Sequence, residues 1–136
     1  MPRITIDSQI NLKIPEVEKA VSEAVRLGLR DTIVPIQNDA MRLSRKKTGH
    51  NMRSIASEVS GMGTVAQGDD AEPEHVVNDS KDEAACYSTS GYGGYLETGW
   101  HGKSGQIGPF PYFRPALDMH IDELVPNIQK HLESGK

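Results

Sequence analysis

The chain reads as an α+β protein, a single domain in which a long bent N-terminal helix and a C-terminal helix pack on a small antiparallel β-sheet. Three observations predict this. Apolar residues recur every three or four positions from Val17 to Leu43, and again from Leu117 to Leu132. Between those stripes, residues 55–89 carry β-branched and small residues without a helical period. With 136 residues, the chain can build one hydrophobic core but not two independent ones.

Each element has its own justification. Ile4, Ile6, Ile10, Leu12 and Ile14 alternate weakly, predicting a short strand or extended N-terminal arm over about residues 1–14. Pro15 opens a helix at a position where its missing N–H costs nothing. Pro35 falls inside the stripe and should bend it. Residues 44–50 form a polar, basic break expected to be a mobile loop, and Thr48 could cap a short helical turn through Ile55. Two strands are expected, Ile55–Gln67 and His75–Thr89, joined by a turn at 68–73 rich in Gly, Asp and Pro. A short helix fits Tyr92–Glu97. Residues 100–108, with Gly102, Gly105 and Gly108, read as a second mobile loop. The last helix should begin at Pro115 and bend at Pro126.

Composition excludes several functions. A net charge of −4 argues against a general nucleic-acid binder, which needs Lys and Arg to neutralise phosphates. No apolar run approaches the ~18–20 residues that cross a bilayer, and the first residues lack the apolar core of a secretory signal. Cys86 is the only cysteine, so an internal disulfide is impossible and a cysteine-built zinc cluster within one chain is excluded. The composition fits a protein made in a reducing cytosol.

Signals for chemistry are weak. Gly102-Lys103-Ser104 echoes a phosphate-binding loop, but Glu97 stands where that motif needs a glycine. Gly91-Tyr92-Gly93 is not a dinucleotide fingerprint, because Leu96 replaces its third glycine. His120 and Glu123 are three apart on the last helix, which reads as a solvated face without a second such pair. His50, His101, His120 and Asp118 supply residue types for a small hydrolase, but nothing in the sequence positions them around Ser88 or Ser90. Cys86 looks like a small buried hydrophobe. No catalytic residue, metal ligand or cofactor site is expected, and the chain reads as a non-enzyme.

Charge and aromatic residues are unevenly distributed. Arg42, Arg45, Lys46, Lys47 and Arg53 form a basic run without an acid, while residues 69–83 hold seven acids against Lys81 alone. Either run could be solvated surface, or the two could be complementary edges of neighbouring subunits. The basic run also keeps open an alternative, a small nucleic-acid-binding module. All the aromatic residues (Tyr87, Tyr92, Tyr95, Trp100, Phe110, Tyr112 and Phe113) fall between 87 and 113. That segment is either the anchor of the core or a subunit contact.

Three segments taken together resemble a known family. They are Thr48-Gly49-His50-Asn51-Met52-Arg53-Ser54-Ile55, then Tyr92-Gly93-Gly94-Tyr95-Leu96-Glu97-Thr98-Gly99, then Pro109-Phe110-Pro111-Tyr112-Phe113-Arg114-Pro115-Ala116-Leu117. In this order, after a long helix, they resemble the "gene product ten" tail-component family of long-tailed bacteriophages, over roughly residues 15–130. The resemblance implies a tail-completion or head–tail joining protein, a structural virion subunit assembled in the host cytoplasm. It implies a ring, commonly sixfold, between the neck and the tail tube. The partners would be further copies of the chain, tail-tube or tail-terminator proteins and neck or adaptor proteins, with DNA only passing through the channel and no membrane.

On that reading the interface residues are Arg45, Lys46, Lys47, Tyr95, Glu97, Trp100 and Arg114. Glu97 and Arg114, the charged members of the two most specific segments, are expected to pair, within or across subunits. Tyr92, Tyr95, Trp100, Phe110, Tyr112 and Phe113 are expected to pack the last helix and the strands into one block.

Overall fold

The computed structural model describes residues 2–44 and 49–134. Its elements are α1 (Pro2–Leu43), α2 (His50–Arg53), β1 (Ile55–Val59), β2 (Gly63–Gln67), β3 (Ala84–Ser88), α3 (Gly93–Thr98), β4 (Trp100–Gly102), β5 (Gly105–Ile107), α4 (Phe113–His120) and α5 (Leu124–Ser134). A single 3-10 turn, Ile121–Glu123, separates α4 from α5. The architecture is α+β, as the hydrophobic stripes predicted.

α1 is 42 residues long, about 63 Å at 1.5 Å per residue. It begins well before Pro15, so residues 2–14 are helix and not a strand or an extended arm. The spacing explains the difference: Ile10, Ile14, Val17 and Val21 fit a 3.6-residue period better than a two-residue one. α1 runs through Pro15 and Pro35, each of which costs the helix one backbone bond, at the carbonyls of Asn11 and Asp31.

β1 is the centre of an antiparallel sheet with order β2-β1-β3. The stretch expected as one strand from 55 to 67 is instead a hairpin. Gly61 and Gly63 take φ of +74° and +69° at its turn, a conformation glycine adopts without strain. Opposite Ser57/Glu58 the register slips by one, leaving Val65 as an extra residue on β2.

All five residues of β1 are buried, because both faces of the strand are covered. On one face Ile55 joins Ile36 and Ala40 of α1, Leu96 of α3, and Tyr112 and Ala116 in the core. Gln37 of α1 donates to the Ile55 carbonyl at 3.4 Å and accepts a hydrogen bond from the Ser57 hydroxyl.

The acidic stretch 69–83 covers the other face and contributes no strand, so the second expected strand shrinks to β3. Glu58, buried on β1, supplies the cause. A buried carboxylate requires hydrogen-bond donors, and the crossing loop provides the Val76 N–H at 2.9 Å and brings the His75 imidazole to 3.4 Å from the other oxygen. The Tyr87 hydroxyl accepts the Glu74 N–H at 2.9 Å, and Val77 of the loop is buried.

Residues 100–108, expected as a loop, hold two short strands instead. Trp100↔Ile107, His101↔Gln106 and Gly102↔Gly105 pair as a tight hairpin.

The last helix starts at Phe113, two residues before Pro115. It breaks at the 3-10 turn rather than at Pro126, which sits in the first turn of α5 where no N–H is required. α5 lies antiparallel along α1. Asn127 donates to the Thr32 hydroxyl at 2.9 Å, and a Cβ placed on Gly28 would come within 2.4 Å of Ile128 Cγ1 and 2.9 Å of its backbone. Glycine at that position is what lets the two helices approach. His120 bonds Asp39 of α1 and, at 2.7 Å, Glu123. His131 bonds Asp31 of α1 at 2.5 Å. His120 and Glu123 therefore act as part of a clasp between helices and not as an independent solvated face.

Candidate interaction surface

The three segments quoted above for their resemblance meet in space. Asn51, fully buried on α2, donates to Ser44 at 2.9 Å and accepts the hydroxyls of Ser88 at 2.6 Å and Ser90 at 2.8 Å. Ser88 packs against Gly93, where an added Cβ would lie 2.4 Å from Ser88 Cβ and 2.6 Å from the Tyr112 hydroxyl. That hydroxyl donates to the Gly93 carbonyl at 3.1 Å, and burial pushes its pKa up. The Phe110 N–H bonds the Leu96 carbonyl at 2.7 Å.

Glu97 closes the knot. Its carboxylate accepts the backbone N–H groups of Tyr112 at 2.8 Å, Phe113 at 3.1 Å and Arg114 at 2.8 Å. These are the otherwise unpaired donors at the start of α4, where the helix dipole also favours a negative charge. The expected Glu97–Arg114 side-chain pair does not form within the chain, because the carboxylate is already occupied by backbone donors. The Arg114 side chain, 77% exposed, reaches Asp118 at 3.4 Å instead.

The aromatic residues divide into two groups. Tyr112 is fully buried, and Trp100, Phe110 and Phe113 pack against the core, with the Trp100 and Phe110 rings 6.3 Å apart. Tyr92 and Tyr95 do not join that block. Tyr95 is 61% exposed, and Tyr92, Tyr95, Leu96 and Trp100 line an open apolar pocket of about 280 Å³. α3 produces this split: Leu96 faces inward, while the residue before it faces outward. Of the expected interface residues, Tyr95 and Trp100 share this surface, Glu97 is committed to α4, and Arg114 is exposed beside Asp118. Arg45, Lys46, Lys47 and Thr48 lie outside the described residues; of the expected loop 44–50, Ser44 is buried against Asn51 and His50 already belongs to α2.

The charged runs are partly neutralised within the chain. Arg42 pairs with Asp39 at 3.1 Å and Arg53 with Asp70 at 2.8 Å. Asp82 holds Arg26 at 2.9 Å and Ser22 at 2.7 Å, and Asp79 accepts the Gly61 N–H at 3.0 Å. The donors of Arg53 and His50, of Gly61, and of Ser22 and Arg26 hold Asp70, Asp79 and Asp82 respectively below the usual carboxylate range. Acidic and basic edges that could have met across subunits are thus joined at Asp70–Arg53 inside one.

One constellation escaped the sequence. His50 Nδ1 lies 3.3 Å from Asp70 Oδ2, and His50 Nε2 lies 3.5 Å from the Ser54 hydroxyl, the connectivity of a hydrolytic triad. The hydroxyl, however, donates to the His50 carbonyl at 2.7 Å, and Ser54 is only 1% exposed. A nucleophile must direct its proton to the base and its oxygen to a substrate, so this group braces α2. Burial raises the Cys86 thiol to about 11, so it is protonated and inert at neutral pH. Among the described residues, no three His, Cys, Asp or Glu side chains converge as a metal site. No protein family, curated protein or solved structure matches this chain.

Proposed function

We propose that this chain is a structural subunit of a long-tailed bacteriophage or prophage. Copies form a ring, sixfold by analogy with the family it resembles, that completes the tail and joins it to the neck. The subunit works by surface fit and transforms no molecule. The observation that carries this reading is the convergence of the three resembling segments on one hydrogen-bonded knot. Residues scattered from 51 to 114 are committed together to capping α4 and fixing α3. That knot presents Tyr92, Tyr95 and Trp100 outward on a rigid support, and exposed aromatic residues around an apolar pocket suit a contact anchor. The partners would be further copies, a tail-tube or terminator protein and a neck protein.

The test is light scattering on the purified protein, alone and mixed with tail-tube or neck protein. Wild type should assemble with at least one of them. Tyr95→Ala, altering an exposed side chain, should leave the melting temperature within about 2 °C of wild type while weakening assembly at least about tenfold. Failure to associate with any tail or neck component, together with normal maturation of particles lacking the protein, would overturn the reading.

A further inference from the structure

The buried face of α1 does not end where its cover ends. Ala24, Gly28 and Thr32 are buried against the body of the protein, Gly28 directly beneath Ile128 of α5. At 100° per residue, Val21 and Val17 fall on the same face of the helix, yet they are 41% and 58% exposed. Read back along the sequence, the 3-4 spacing continues through positions 14 and 10, both isoleucine. An apolar stripe in register with the core therefore runs about two heptads beyond the part covered by α5. An isolated helix of that length is marginal in water and gains its stability from packing this face.

We propose that the N-terminal half of α1 pairs in parallel with the same segment of a second copy. The stripe supplies the seam, with positions 10 and 17 equivalent to d and positions 14 and 21 to a. The charges flanking it select the orientation. In a parallel pair position 13 of one helix opposes position 18 of the other, and the sequence has Lys13 and Glu18 there, so two attractive contacts flank the seam. An antiparallel pair would not set these residues against each other. Two heptads make a weak contact alone, and further copies held nearby would strengthen it through effective concentration.

Disulfide trapping in the full chain tests this. Val17→Cys and Val21→Cys should each give a covalent dimer under mild oxidation. Lys19→Cys, on the opposite face of the helix, should not, and wild type should not through Cys86, half-buried on β3 with its thiol held protonated. Lys13→Glu or Glu18→Lys alone should lower the yield of the Val17→Cys dimer several-fold, and the two together should restore it. Equal trapping at 17 and 19, or trapping insensitive to the charge swap, overturns the proposal. The inference stands apart from the tail reading. Trapping without assembly on tail components would reject the ring alone, and assembly without trapping would reject the helix pair alone.

Discussion

Removing the Glu97 carboxylate should be among the most damaging single changes outside the hydrophobic core. In Glu97→Ala, the N–H groups of Tyr112, Phe113 and Arg114 lose their acceptor together. A lost helix cap costs about 0.5–2 kcal/mol, and loss of the favourable charge at the helix N-terminus adds about 0.3–1 kcal/mol. Tyr112 is fully buried, so water cannot replace every bond freely. We expect a loss of about 2–3 kcal/mol, or roughly 6–9 °C in melting temperature at about 3 °C per kcal/mol for a domain of this size. Glu97→Gln keeps one acceptor oxygen and should lose about half as much. Arg114→Ala removes only an exposed ion pair with Asp118 and should cost about 0.5 kcal/mol or less. Urea unfolding with an unchanged slope measures all three. If Arg114→Ala proves as costly as Glu97→Ala, the carboxylate's partner is the guanidinium and the backbone clamp is wrong.

Other substitutions probe the remaining joints. Gly28→Ala gains helix propensity but drives a methyl into the Ile128 backbone, so it should destabilise by about 1–3 kcal/mol by calorimetry. Asn51→Leu removes the acceptor shared by the Ser88 and Ser90 hydroxyls, which can then donate only one to the other, and the donor to Ser44; it should cost about 2–4 kcal/mol in denaturant unfolding. The His120 clasp should depend on pH. Hydrogen bonds to Asp39 and Glu123 raise the His120 pKa above its ordinary 6.5, so its contribution is full below 6.5 and is lost as pH rises through the raised value. The hydrogen bond from His120 leads the lowering of Asp39 below 3.8, so that contribution is present above 3.8 and is lost as pH falls through the lowered value. The melting-temperature gap between wild type and His120→Gln should therefore be widest between these limits and shrink at alkaline pH. A gap independent of pH refutes the clasp.

The parts of the fold legible in the sequence were those set by periodicity. The stripes of α1 and of α4–α5 announced two helical elements, because burying one face of a helix requires a repeat near 3.6 residues. The sheet was legible as a region but not strand by strand. β1 has Ser57 and Glu58 at buried positions, and nothing local distinguishes a buried Glu satisfied by a distant loop from an exposed one. Residues 75–83 therefore resembled a strand while serving as the lid that Glu58 requires. Glu97 and Arg114 do meet within the chain, but through the Arg114 backbone N–H and not its guanidinium; opposite charges suggest an ion pair, and a sequence does not reveal unpaired backbone donors. Gly28 gave a signal that could have been read, a glycine inside a strong helical stripe, which marks close packing when the helix survives it.

The fate of the charged groups bears on how copies recognise one another. Arg53 is spent on Asp70, Arg42 on Asp39, Arg26 on Asp82 and Glu97 on the start of α4. Apolar side chains also face outward on described residues: Tyr92 and Tyr95 beside their pocket, and Val17 and Val21 along α1. Contacts through such surfaces draw on burial of apolar area, which salt does not screen, whereas ion pairs between exposed edges weaken as the screening length falls to about 3 Å at 1 M salt. Assembly measured by light scattering should therefore change by less than about threefold in affinity between 0.1 M and 1 M NaCl, roughly 0.65 kcal/mol. A loss of a hundredfold or more over that range would place the contact in the basic and acidic runs and remove the aromatic surface from its central role.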